Sequence, residues 1–351
     1  MPFRPAILVG AACLILSACS QDTSAPATAG PAVGSNGIVN LYSARHYDSD
    51  KLMYKAFEEA TGIKVRYRES GAAELLETMN AEAENSPADV IISSDAGTLY
   101  RFQAAGHTQA IDSPALNAAI PERLREENGN WFGLAKRVRV IAYDPTRLSA
   151  DQVDEYADLA SDALTNEVCM RSSTNIYNLS LMGELIDRMG SEGAESWTQS
   201  VVNNFARPPQ GGDMTQIQSI AAGECSAALV NHYYWVRMSV GSKAQQAAAA
   251  KTKLSFPNQS TTGTHVNVTG AAVAAHAPNK ENAIKFIEFL ATPTGQELLT
   301  RETKEFPVIA AVTFPEGLEQ LPEFKQSDFP LERLGKNQAE AQAIFDRAGW
   351  N

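Results

Sequence analysis

The feature that most constrains this chain is a short-period alternation of strand-like and helix-like runs beginning near residue 37. Residues 38–43 are β-rich. Residues 50–60 place Leu52, Met53, Ala56, Phe57 and Ala60 at helical spacing, and Gly62 ends the run. Residues 63–67 alternate as a strand, and residues 72–83 are helical again, with Leu75, Leu76 and Met79 on one face. Pro87 breaks the pattern, residues 88–92 read as a buried strand, and residues 96–105 read as a helix closed by Gly106. Connections this short between alternating elements imply an α/β domain with mostly parallel strands.

The pattern then changes neighbourhood. Residues 136–143 alternate strongly before the turn at Asp144-Pro145, which predicts a strand leaving the first domain for a second. The second domain is expected to hold a strand at 167–170, helices at 178–189 and 194–203, and a break at Pro208-Pro209. A helix capped by Asp213 then runs to Ala222, followed by a strand at 225–230. The chain crosses back over 253–268, because 268–275 and 280–290 read as another βα unit. An amphipathic helix with Ala341, Ile344 and Phe345 on one face closes the chain at 337–348. At 351 residues there is room for two such bodies. The expected architecture is therefore two discontinuous α/β lobes joined by hinge strands: 37–136 with 268–315, and 137–267 with 316–351.

The segment before residue 37 carries a different message. Arg4 precedes an apolar run over residues 5–16 that is too short to span a bilayer and stands where an export signal belongs. Leu16-Ser17-Ala18-Cys19 reads as a lipobox, with residues 1–18 removed and Cys19 lipidated; the alternative is ordinary signal cleavage at the small residues. Residues 19–36 are too poor in large apolar side chains to fold and read as a flexible tether, roughly 20–25 Å in r.m.s. span. The protein is expected in the periplasm, held at a membrane by its lipid. Lys and Arg number 29 against 41 Asp and Glu, a net charge of -12, which argues against nucleic acid as a partner. After lipobox processing Cys169 and Cys225 remain, and an even pair in an exported chain reads as a disulfide, the alternative being two buried thiols.

An exported two-lobed α/β chain suggests a solute receptor with its ligand at the carboxyl ends of strands, in the cleft. His46-Tyr47 follows the first strand, Tyr177 follows the strand ending near Met170, and Tyr233-Tyr234 follows the strand ending at Val230. Each cysteine of the pair precedes its tyrosine by the same interval, so a bridge would bring the two tyrosine loops to similar heights. A phenolate is a hard anionic oxygen donor suited to trivalent iron. A free phenol has a pKa near 10, so it needs a strong cation to release its proton. Three phenolates neutralise Fe(3+); a fourth leaves one negative charge for an arginine to offset. Taken singly each residue has a plainer reading: Tyr233-Tyr234-Trp235 as a half-buried aromatic cluster, Tyr177 as a helix-start tyrosine, His46 as a loop histidine. His232 reads as structural or as support behind the ligands, with a ligand role in place of His46 as the alternative, and Asp48 and Asp50 as helix N-terminal residues favoured by the macrodipole.

Three segments also carry a resemblance. Residues 41–50, with Arg45-His46-Tyr47-Asp48, residues 171–178, ending Ile176-Tyr177-Asn178, and residues 230–237, with His232-Tyr233-Tyr234-Trp235, resemble in order the ligand loops of bacterial ferric-iron-binding receptors of ABC transporters, the Fut-type branch. The ending from Leu334-Gly335-Lys336 to Trp350 is also similar, and the likeness covers residues 38–351. It implies a two-lobed periplasmic-binding-protein fold of the second type. It also implies iron held by His46, Tyr47, Tyr177, Tyr233 and Tyr234, with Arg137, Arg139 and Arg237 as candidates to stand behind the ligands. Fe(3+) is the implied cargo, with Fe(2+) left open. No synergistic anion is obligatory, although branches that use carbonate or a Glu ligand keep Glu69 and a bound anion in view. The implied partners are an ABC permease and its ATPase, with the receptor itself a monomer. The lipobox departs from the many relatives that are freely soluble.

Two other classes remain. The same fold could carry an anion, a polyamine or a sugar, with the tyrosines as stacking walls. An enzyme is disfavoured: there is no GxSxG elbow, no HExxH helix and no phosphate-binding Walker loop.

Overall fold

The computed structural model describes residues 37–45, 47–310 and 312–351. The signal segment, the tether with Cys19, and His46 lie outside the described residues. The strands are β1 (Gly37–Ser43), β2 (Ile63–Glu69), β3 (Val90–Ser93), β4 (Thr108–Gln109), β5 (Phe132–Tyr143), β6 (Val168–Cys169), β7 (Ala227–Asn231), β8 (Lys253–Ser255), β9 (Val266–Ala274) and β10 (Phe306–Pro307). The helices are α1 (Asp50–Thr61), α2 (Ala72–Glu82), α3 (Ala96–Ala104), α4 (Pro114–Ala119), α5 (Ile176–Asn203), α6 (Asp213–Ala222), α7 (His232–Ser239), α8 (Lys243–Ala250), α9 (Lys280–Leu290), α10 (Pro293–Arg301), α11 (Leu331–Lys336) and α12 (Gln338–Ala348). Among the described residues no helix is long and apolar enough to cross a membrane.

The opening βα units fold as their spacing predicts. β1 pairs in parallel with β2 on one side and β3 on the other. α1 ends at Gly62, whose φ of 74° is the left-handed conformation that glycine adopts at little cost. Its apolar stripe, Met53 and Phe57, is buried, and Phe57 meets Phe286 of α9 edge to face at 5.0 Å. Burying a side chain of this size is worth roughly 1.5–3 kcal/mol.

β5 is the strand that divides the molecule. From Phe132 to Val138 it pairs with β9; from Arg139 to Tyr143 it pairs with β7. One strand thus serves two sheets, β2-β1-β3-β9-β5 and β5-β7-β6, and the chain is a two-lobed α/β fold connected by crossing strands. β9 runs antiparallel to both β3 and β5, where a mostly parallel sheet was expected. The reason is the crossover: β9 returns along the strand that left, so it must run against it.

The two helices expected at 178–189 and 194–203 are present and run together as α5 across a kink at Gly190, whose φ of 76° and ψ of 163° are not helical. Another departure is local. Asp213 does not cap α6. Gly212 is the cap residue, and the Asp213 carboxylate is drawn inward by two arginines. The final helix buries Ala341, Ile344 and Phe345 as its periodicity requires, and Trp350 closes over Phe345 at 4.7 Å. Cys169 and Cys225 are bonded, with their Cα atoms 5.8 Å apart, and β6 lies parallel beside β7.

Candidate metal centre

Three strand ends deliver the tyrosines. β1 ends at Ser43, and Tyr47 stands in the loop before α1. β6 ends at Cys169, and Tyr177 is the second residue of α5, where the Asn175 side chain accepts a hydrogen bond from its N–H at 3.1 Å. β7 ends at Asn231, and α7 begins at once, so Tyr233 and Tyr234 occupy its first turn. The Tyr233 hydroxyl donates to the Tyr177 oxygen at 3.2 Å, and the Tyr233 and Tyr234 rings lie 4.4 Å apart. Tyr47 completes the group: its phenol opposes ionisation of both Tyr233 and Tyr234, and Tyr177 opposes its own.

Burial keeps these phenols protonated. It pushes Tyr47 up to about 12 and Tyr177 up to about 12, and neighbouring phenols add to the effect. Tyr234 is raised for the same reason, and Tyr233, only 2% exposed, is driven well above the ordinary tyrosine value. A cluster of this kind is neutral at pH 7 and becomes anionic only against a strong cation.

Behind the phenols lies a layer of arginines, with Arg45, Arg137 and Arg139 buried and Arg171 partly so. Arg45 grips Asp50 through two hydrogen bonds of 2.9 Å, lies 3.6 Å from Glu305, and covers the Tyr47 ring at 4.9 Å. Arg137 pairs with Glu305 at 3.1 Å and stands 5.2 Å from the Tyr177 ring. Arg139 pairs with Asp213 at 2.7 Å and receives further support from Asn178 at 2.8 Å. Arg171 takes the other Asp213 oxygen at 2.8 Å. Arg139 and Arg171 lie 6.0 and 5.5 Å from the same Tyr177 ring. Three guanidiniums therefore surround one phenol, an arrangement whose attraction strengthens when that phenol loses its proton.

The sequence-expected residues divide accordingly. Tyr47, Tyr177, Tyr233 and Tyr234 are brought together, with Arg137 and Arg139 beside them. His46 lies outside the described residues. Arg237 lies farther out, with Arg301 and Lys304 in the wall of a cleft of about 1120 Å³ that Tyr47 also lines. Glu69 ends β2, exposed, and acts on Lys51 and Tyr54 rather than on the four phenols. Asp48 pairs with Lys51 at 2.8 Å. His232 is structural: Val138 N–H donates to its Nδ1 at 3.3 Å, its ring stacks on Phe306 at 4.4 Å, and burial drives it down to about 3. His265 contacts Glu184 at 2.5 Å through Nδ1. Arg45, Arg171, Asp213 and Glu305 were missed. Arg45 and Arg171 each lie within the ligand-loop segments, a signal that proximity to Tyr47 and Tyr177 could have raised. Asp213 and Glu305 gave no local signal. Among the described residues no group of three His, Cys, Asp or Glu is placed to hold a metal ion.

Residues 46–297 match the family described as bacterial extracellular solute-binding protein. The chain belongs to that family, which makes it a transport receptor rather than an enzyme. Within the family its likeness runs to iron-uptake proteins. It is 41% identical over 337 residues to iron uptake protein A1 of Synechocystis sp., spanning 96% of this chain and 93% of the relative. It is 38% identical to iron uptake protein A2 of the same organism, over 89% of this chain and 90% of the relative. The solved structure of the Trichodesmium protein IdiA (FutA), in complex with iron and citrate ligands, superposes with a TM-score of 0.85. That pair is 43% identical over 90% of this chain and 100% of the other.

Proposed function

We propose that this chain is an extracytoplasmic receptor that takes up Fe(3+) between its lobes and delivers it to an ABC importer of permease and ATPase. The observation that carries this reading is the meeting of four phenols at the ends of strands from both halves of the molecule. Tyr47, Tyr177, Tyr233 and Tyr234 are the proposed oxygen donors, with His46 supplying a nitrogen beside Tyr47. Hard phenolate oxygen suits ferric iron, and the charge of the ion drives their deprotonation. The negative charge left by a fourth phenolate faces Arg137, Arg139 and Arg171. Fe(2+), with less charge to offset, has the weaker claim. The shell closes without an external anion, while Arg237, Arg301 and Lys304 give one a place in the cleft.

In this reading the lobes are 37–136 with 268–315, and 137–267 with 316–351, which the change of partners along β5 after Val138 supports. Hinge closure brings Tyr47 onto the tyrosines of the other lobe. Export followed by lipidation of Cys19 holds the receptor at a membrane, with 19–36 as tether. The names of the iron-uptake relatives support the same cargo. The deciding measurement is colour: stoichiometric Fe(3+) should give a tyrosinate-to-iron charge-transfer band, lost together with the metal in Tyr233→Phe. A colourless ferric complex would sink the phenolate site.

A further inference from the structure

Segment 314–326, which follows β10, covers a second cavity of about 390 Å³ that shares no lining residue with the cleft beside Tyr47. Lys136 of β5 and Phe306 of β10, direct neighbours across the sheet, both line it. Phe314, Leu321 and Phe324 are further walls, and Glu323 is exposed. Phe306 meets Phe314 at 5.9 Å and Phe324 at 5.8 Å, so three aromatic rings border one space. Phe314 is 55% exposed, an unusual state for an apolar ring of this size in a folded chain.

Among the described residues no carboxylate pairs with the Lys136 ammonium, although Glu323 also lines the cavity. Burial, with the like-signed Arg123 adding to it, pushes the amine down to about 8. A half-desolvated cation with no carboxylate paired to it is costly, and it favours a ligand that brings the missing charge. The rings ask for an apolar body, and the volume falls within the range of small-molecule pockets.

We propose that this cavity is a binding site for a small amphipathic carboxylate, its apolar body between Phe314 and Phe324 and its anionic head on the Lys136 ammonium. This goes beyond iron uptake, and it places a second ligand behind the strand that joins the two sheets. The probe is 4-phenylbutyrate, titrated into the full chain by calorimetry at pH 7, with and without bound iron. Saturable one-to-one binding is expected, with the neutral alcohol 4-phenylbutanol at least tenfold weaker. Lys136→Met should weaken 4-phenylbutyrate at least tenfold. Phe314→Ala, at an exposed position that tolerates truncation, should do the same. In both variants the ferric absorption band should stay as in the wild type. Absence of saturable binding to the wild-type chain, or equal binding of acid and alcohol, would overturn the proposal. So would undiminished affinity in a folded Phe314→Ala chain.

Discussion

A phenol that is 2% exposed and hydrogen-bonded to a second phenol at 3.2 Å has no reason to ionise by itself, and that is the state of Tyr233 against Tyr177. Iron uptake must therefore expel one proton for each phenolate formed, so affinity falls as pH falls. In weakly buffered solution, loading with ferric citrate should release one proton fewer per iron from Tyr234→Phe than from the wild type. Equal release would remove Tyr234 from the ligand set. The iron-free protein shows the same chemistry in reverse. Tyr47 and Tyr177 titrate near 10 when unfolded and near 12 when folded, so their contribution is complete below pH 10. It is lost as pH climbs toward 12, and denaturant midpoints should drop across that window, less steeply in Tyr47→Phe. The tyrosines could be found from sequence because each follows a recognisable strand and two keep the same distance from a cysteine. Asp213 and Glu305 could not, because an ion pair between distant segments leaves no periodicity in either.

At the scale of elements, the same Asp213 fastens three pieces together. It is fully buried at the start of α6, holds Arg139 of β5 and Arg171 after β6, and accepts the Asn231 N–H at the end of β7 at 2.7 Å. Asp213→Ala leaves two guanidiniums without their carboxylate, which should cost about 3–5 kcal/mol in chemical denaturation. A loss below about 1 kcal/mol would show that solvent or Asn178 satisfies the pair instead. The bond between Cys169 and Cys225 spans a separation of 56 residues and ties the two-residue β6 to β7. Replacing both by serine should cost about 2–4 kcal/mol. It should also weaken iron binding, because Tyr177 and Tyr233 are carried on the ends of those strands. Element types read well wherever one periodicity governed, as in β1 to α3. They read less well where long-range geometry decided: β9's direction follows from the crossover, which leaves no mark on the period of the strand itself.

For the whole molecule the question is whether iron ties the two halves together or rests on one. The alternation at 136–143 marked the strand that leaves the first lobe, and β5 does change sheet within it, between Val138 and Arg139. Tyr47 belongs to the loop before α1, whereas Tyr233 and Tyr234 belong to α7 across the change of sheet. Ligand at a hundredfold excess over its dissociation constant stabilises the bound state by about 2.7 kcal/mol, which slows exchange about a hundredfold in amides whose opening destroys the site. If the ion is bridged, hydrogen exchange measured by mass spectrometry should slow on iron loading in both α1 and α7. In Tyr47→Phe the protection of α1 should vanish while that of α7 persists in reduced form. Protection confined to α7 in the wild type would mean that Tyr47 does not ligate. The lobes would then close for some reason other than the metal, since an ion held equally well by the open and closed forms has no means of shifting the balance between them.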